Sequence, residues 1–260
     1  MGYLSPKEIA FEFARAGVYK SKLPLSRFMI LAFLGGAFIG LGGLLTVVVA
    51  GGSPGIMATN PGILKFVAGA LFPVGLIMVS IAGADLFTSD CTGMILPYMQ
   101  KEVKRNAVFR VLTLSYLFNF IGTQFIAYVM AYQTGLISSA PWVDYLHDYS
   151  SHKVHQEWLT VFIKGIGANW LVCLGAWMGY AAKDVSGKVV GIWLPVMLFV
   201  TLGYEHSIAN MFFIPAAIYS GADITWGHFI VDNLIPATLG NIIGGAGFVG
   251  CVYWFVYMKK

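Results

Sequence analysis

The sequence predicts an all-α membrane protein: six transmembrane helices forming two inverted three-helix repeats, with the second and fifth helices broken. Three observations lead there. Of 260 residues, 58% are hydrophobic and only 11% are charged, whereas a soluble chain carries about 25% charged residues to cover its surface. The apolar residues fall into six runs, each near the ~20 residues that a bilayer core demands of a helix. The chain also resembles itself across its midpoint, with an interruption at matching places in each half.

Residues 1–21 read as an amphipathic surface helix. Ser5 is suited to the N-cap, Pro6 to the first helical position, and Glu8 completes a capping box. Ile9, Phe13 and Ala16 recur at helical spacing between Lys7, Glu12, Arg15 and Lys20, so the helix lies on the membrane surface or on the inner face of the domain. The polar first 27 residues show no cleavable leader, and the first span is expected to direct insertion. Residues 22–137 make the first repeat. Its spans are expected at 28–50, at 62–84 resuming to residue 100 after an interruption at 85–90, and at 111–137. Residues 138–157 form an outer loop. Residues 158–260 make the second repeat, with spans at 158–182, at 189–219 interrupted at 203–207, and at 234–258. The whole is one membrane domain.

The charges support this count. With both ends inside, all of the 16 Lys and Arg residues except Lys65, Lys153 and Lys164 fall on inner segments, including Lys259 and Lys260, as the positive-inside rule requires. Lys65 and Lys164, near outer span ends, are expected to snorkel. The net charge of +4 is thus a topology signal and implies no nucleic acid. Trp142, Trp158, Trp226 and Trp254 fall near span ends, where interfacial aromatics belong. Cys91, Cys173 and Cys251 form no metal motif and, being odd in number, no disulfide framework. They read as small buried fillers. No cofactor is implied.

The internal repeat is carried by three pairs of segments. Gly83-Ala84-Asp85 parallels Gly203-Tyr204-Glu205, Leu71-Phe72-Pro73-Val74 parallels Trp193-Leu194-Pro195-Val196, and Asn119-Phe120-Ile121-Gly122 parallels Asn241-Ile242-Ile243-Gly244. Chance likeness among Gly-rich apolar segments is the plainer alternative. Three spans per half invert the second half, and broken helices at corresponding positions point to the transport site. Irregular backbone at membrane depth survives only where protein buries it or it lines a cavity. Half-helices starting near Ser89 and Ser207 would present positive N-terminal ends and attract an anion without a fixed charge. Conduction needs such weak binding.

His206 sits in the second break, where burial favours a neutral imidazole able to exchange a proton; the alternative is a histidine that only bonds its loop. Asp85 and Glu205 are expected to accept backbone N–H bonds, with a proton-carrying carboxylate pair as the other reading. Thr88 and Ser89 offer hydroxyls in the first break. Asn210, one turn after His206, is placed to orient the imidazole. Phe72, Leu76 and Phe199 flank the breaks and suit either hydrophobic constrictions or core packing. Lys153 in the outer loop raises local anion concentration or is a solvated charge. His152, His155 and Glu157 leave a metal ligand set incomplete. Glycines four apart, at 36 and 40, 175 and 179, and 240 and 244, permit close helix contact within or between protomers.

Asp85-Leu86-Phe87-Thr88-Ser89, the stretch Gly167-Ala168-Asn169-Trp170-Leu171-Val172-Cys173-Leu174, and Gly203-Tyr204-Glu205-His206-Ser207-Ile208-Ala209-Asn210-Met211-Phe212 closely resemble the formate/nitrite transporter family. The likeness covers nearly the whole chain. It implies an aquaporin-like fold, a homopentamer with a pore in each protomer, and Leu86, Phe87 and Thr88 on the loop breaking the second helix, with Thr88 facing His206. It also implies constrictions from Phe72, Leu76, Phe87 and Phe199, Asn169 near the pore and Lys153 in the outer vestibule. The implied substrate is formate, or nitrite, hydrosulfide or a similar weak-acid anion, crossing the cytoplasmic membrane. Thr88-Ser89 looks more like formate members, while Asp90 and Cys91 depart from the common pattern. An aquaporin-type channel usually carries paired Asn-Pro-Ala motifs, and here Asn60-Pro61 occurs once, outside either break. A membrane-embedded enzyme would need a nucleophile–base pair or metal set beside Glu205 and His206, and none is legible.

Overall fold

The computed structural model describes residues 2–259; Lys260, counted above among the inner basic residues, lies outside them. Among the described residues, five helices are long and apolar enough to cross a bilayer: Leu25–Gly51, Pro61–Gly83, Arg105–Tyr132, Trp158–Ala181 and His228–Tyr257. Two shorter apolar helices, Val185–Thr201 and Ser207–Tyr219, complete the fifth of six spans. The fold is the six-span inverted repeat with broken second and fifth helices.

Several boundaries move. The first break is only Ala84 to Leu86, because helix resumes at Phe87–Gly93, continuing through Ile95–Met99. Thr88 and Ser89 therefore lie in the first turn of a half-helix, not in a loop. The third span ends at Tyr132, and the last begins at His228, six residues before the expected Leu234. The expected outer loop contains the helix Trp142–Val154. Cys251 is exposed, unlike buried Cys91 and Cys173.

The surface helix Pro6–Ser21 starts with the capping box: Glu8 N–H donates to Ser5 Oγ, and Ser5 N–H donates to the Glu8 carboxylate at 2.7 Å. The Ser5 hydroxyl also donates to Glu8 Oε2 at 2.6 Å, and this bond, with that from the Ser5 N–H, holds the Glu8 carboxyl below its ordinary range. The helix does not lie free on the membrane. Ile9, Ala10, Phe13 and Ala14 are buried against Leu96, Trp177, Val249 and Met258. Leu4 N–H donates to Ala181 O, and Gln100 Nε2 donates to Met258 O. The surface helix and the ends of spans two, four and six thus share one face.

Glycine sets the helix spacing. Gly36 abuts the Asn119 backbone and Gly40 the Ile126 side chain; Gly240 and Gly244 abut the carbonyls of Phe162 and Ile166. Gly175 and Gly179 meet Ile192. These glycines pack helices within the protomer, joining span one to three, span four to five, and span four to six. Replacing Gly36 by Ala would drive Cβ into the Asn119 backbone, whereas a Cβ at Gly55 meets nothing within 4 Å. Gly36→Ala is expected to lower the thermal midpoint of the purified protein, at a cost of about 1–3 kcal/mol, and Gly55→Ala to leave it unchanged. Equal midpoints for the two variants would contradict this packing.

Candidate functional site

Each break follows a glycine with positive φ, Gly83 at 83° and Gly203 at 71°. This left-handed turn costs least at glycine. The three residues after each glycine are stapled by one buried asparagine. Asn119 Oδ1 accepts from Phe87 N–H at 2.9 Å, and its amide donates to the carbonyls of Ala32 and Asp85 at 2.6 and 2.9 Å. Asn241 Oδ1 accepts from Ser207 N–H at 2.8 Å, and its amide donates to the carbonyls of Gly165 and Glu205 at 2.8 and 2.9 Å. One amide side chain has the acceptor and donors to satisfy a helix start and a strand-like segment together. In the sequence the paired Asn119 and Asn241 segments mark the internal repeat, and their recurrence is the signal for this stapling role.

Each break also carries a carboxylate paired with a lysine from outside the spans. Lys20 of the surface helix contacts Asp85 Oδ2 at 2.7 Å and also Asp90. Lys153 of the outer helix contacts Glu205 Oε2 at 2.9 Å. Lys153 is neither a solvated charge nor a free vestibule cation; it is 5% exposed. Burial opposes its ammonium form, but Glu205 outweighs that and raises its pKa above the usual lysine range. Burial opposes the Lys20 ammonium too, and Asp85 and Asp90 outweigh it.

Neither carboxylate accepts the expected backbone N–H bonds. Asp85 Oδ1 accepts from Ser115 Oγ at 2.9 Å. Glu205 accepts from Gln156 Nε2 at 3.0 Å, Asn210 Nδ2 at 2.7 Å and Asn233 Nδ2 at 3.3 Å, besides Lys153. Asn210 therefore does not orient His206: its amide is drawn to the carboxylate and to Asn233 Oδ1. Lys164 does not simply snorkel, since it donates to Gln156 Oε1 and extends the same network. Lys65 is exposed.

The two breaks meet at His206 and Thr88. His206 Nε2 lies 3.1 Å from Thr88 Oγ1, both residues being buried. Ala209 N–H donates to His206 Nδ1 at 3.0 Å. A backbone N–H can only donate, so Nδ1 is an acceptor and the proton of the neutral ring sits on Nε2. Nε2–H then donates to Thr88 Oγ1. An imidazolium would have to break the Ala209 bond and bury a charge, both costly. The same tautomer stops His206 from acting as a base toward the threonine hydroxyl. Asn169 does not reach into this pair; its amide donates to the carbonyls of Thr88 and Asn241 at 3.1 and 2.6 Å and so fixes the half-helix that carries Thr88. The Ser89 hydroxyl is buried without a partner among the described residues.

A cavity reaches His206 from the side of the outer helix. Among the expected residues Phe72, Phe199, Lys153 and Asn210 line it; Tyr149, Tyr204 and Phe213 also do and were not singled out in the sequence. Phe72 and Phe199 meet edge to face at 6.0 Å, and Phe199 stacks on His206 at 5.6 Å. Leu76, Leu86 and Phe87 are buried but do not line this cavity; Phe87 packs edge-on against Tyr116 at 4.8 Å. The helix ends are less positive than their position suggests, because Asn119, Asn241 and His206 already accept N–H groups of their first turns.

A family profile described as formate/nitrite transporter matches residues 7–255. A probable formate transporter of Methanothermobacter thermautotrophicus is 41% identical, over 99% of this chain and 98% of its own. The formate channel BtFdhC of Bacillus thuringiensis is 38% identical, over 100% of this chain and 98% of its own. The solved structure of a pentameric formate channel with formate bound superposes with a TM-score of 0.77 at 33% identity, covering 94% of this chain and 99% of that one.

Removing one partner of a buried ion pair leaves the other charge uncompensated, at about 3–5 kcal/mol. Lys153→Met is therefore expected to unfold well below the wild type in thermal denaturation of the purified protein. The double variant Lys153→Met with Glu205→Gln should recover part of that loss. A double variant less stable than Lys153→Met would show that the pair is not what holds the second break.

Proposed function

The chain belongs to the formate/nitrite transporter family, and from that premise we propose that it passes formate across the cytoplasmic membrane through a pore in each protomer. The observation that carries this reading is the His206–Thr88 hydrogen bond at the meeting of two stapled breaks, reached from a cavity walled by aromatic rings. Thr88 Oγ1 accepts from Nε2–H and keeps its own hydrogen to donate to a carboxylate oxygen. A bare charge in a dry channel is costly, and a neutral donor pair lowers that cost without the trapping that a fixed cation would cause.

Formate enters past Tyr149 and Tyr204, crosses the Phe72–Phe199 pair, and accepts from Thr88 at the centre. Leu76, Leu86 and Phe87 supply the apolar passage beyond. His206 acts as a neutral donor and an orienting group. Where formate crosses as the neutral acid, water in the vestibule supplies its proton. Lys153, Glu205, Asn210 and Asn169 hold the breaks in place instead of touching the anion, and the buried Ser89 hydroxyl is a second donor beside Thr88. The protomers assemble as a homopentamer, as in the pentameric formate channel, with both ends of the chain facing the cytoplasm. The pair serves passage and not hydrolysis, since His206 is held in the tautomer that cannot activate Thr88 as a nucleophile.

Hydrogen bonds to charged groups contribute about 1.5–3 kcal/mol, so Thr88→Val is expected to slow formate uptake into proteoliposomes about 10- to 100-fold. Thr88→Ser should retain most of it. Competition by nitrite and hydrosulfide in the same assay ranks the substrates, and formate is expected to compete best. For His206→Gln, whose amide keeps one donor and one acceptor, uptake should persist with an unchanged pH profile. A collapse of its pH dependence would return His206 to the role of proton donor.

A further inference from the structure

Both breaks pair a carboxylate with a lysine, but the group beside that ion pair differs between them. In the second, Lys153, the Glu205 carboxylate and the Asn210 amide form a neutral group, with Asn210 Nδ2 donating to Glu205 Oε2 at 2.7 Å. In the first, Lys20 corresponds to Lys153 and Asp85 to Glu205, but the place of Asn210 is taken by Asp90. One ammonium therefore faces two carboxyl groups, and Asp85 and Asp90 are 4% and 0% exposed. Both oxygens of Asp85 have donors, Ser115 on Oδ1 and Lys20 on Oδ2. Asp90 Oδ1 has Lys20, while Asp90 Oδ2 is buried with no hydrogen-bond partner among the described residues.

We propose that Asp90 Oδ2 carries a proton, so that the Lys20–Asp85–Asp90 cluster is a buried proton-binding site tying the surface helix to the first break. The protonated carboxyl does for charge what the Asn210 amide does in the other repeat: it leaves the cluster neutral. Two ionised carboxylates on one lysine would bury an uncompensated negative charge, which a protein interior resists by binding a proton. The other ionisable groups around Asp90 do not supply a second cation. They are Tyr180 and Cys173 from the fourth span and Cys91 on its own half-helix, with Glu12 beyond Tyr180 on the surface helix. From the third span come Ser115 and Arg110, and Arg110 donates to the carbonyls of Ser21 and Leu23. The last span contributes the Gly245 carbonyl, which accepts from Thr92. Alkaline pH removes the proton, leaving a negative charge beside the first break that opposes an anion in the pore and separates the carboxylates Lys20 holds together.

Infrared spectroscopy of the purified protein tests the proton directly, without substrate. At neutral pH the wild type should show a protonated-carboxyl C=O band that disappears on alkaline titration and is absent from Asp90→Asn. A wild type without that band, or a band that persists in Asp90→Asn, overturns the proposal and leaves the transport reading untouched. The link to the pore, which rests on that reading, is tested by formate uptake at matched pH. The ratio of wild-type to Asp90→Asn uptake should be near one at neutral pH and fall about tenfold at alkaline pH. A ratio constant across the range overturns the link.

Discussion

The structure depends on one constraint: backbone that leaves the helix inside a bilayer must find its hydrogen-bond partners within the protein. Two stretches leave it here, and the same device serves both. A glycine turns the chain, three non-helical residues follow, and a buried asparagine from the third span of the same repeat takes the next N–H and gives its amide hydrogens to two carbonyls. Without Asn119 and Asn241 the first residues of both half-helices would have unsatisfied groups in a dry interior, each costing more than a typical hydrogen bond contributes.

The charged groups follow from that frame. Asp85 and Glu205 stand in the extended segments, where they would be untenable alone. Each is matched by a lysine from a helix lying across the end of the bundle, Lys20 on one face and Lys153 on the other. The helices outside the membrane thus act as lids that neutralise the breaks, and the centre is left to a neutral imidazole and a hydroxyl. Transport through this centre relies on weak contacts because the strong charges are occupied elsewhere.

Much of this was legible in the residues. Six apolar runs and one-sided basic residues set the spans, and a glycine followed by a carboxylate marked both breaks, because membrane depth penalises such residues unless they have a purpose. Long-range pairing was not legible. Lys153 lies in a polar stretch that reads as a solvated loop, and only the folded helix turns Tyr145, Leu146, Ser150 and Lys153 inward. Asn210 is one turn from His206, so spacing suggested that partner, but a carboxylate is the stronger acceptor and draws its amide away. The first break proved shorter than expected because helix restarts at Phe87 as soon as Asn119 caps it.

The residue just before each half-helix is Leu86 in one repeat and His206 in the other. Duplication supplied the frame twice, and the imidazole was written into only one copy. On the route proposed above, an anion arriving from the two compartments meets the same waypoint after different approaches, past tyrosines and a phenylalanine pair on one side and past Leu76, Leu86 and Phe87 on the other. Such a conduit still equilibrates the two compartments, since unequal barriers do not shift an equilibrium. It nevertheless saturates at different loads from its two ends, so net flux under heavy supply has a preferred direction without any energy being coupled to it.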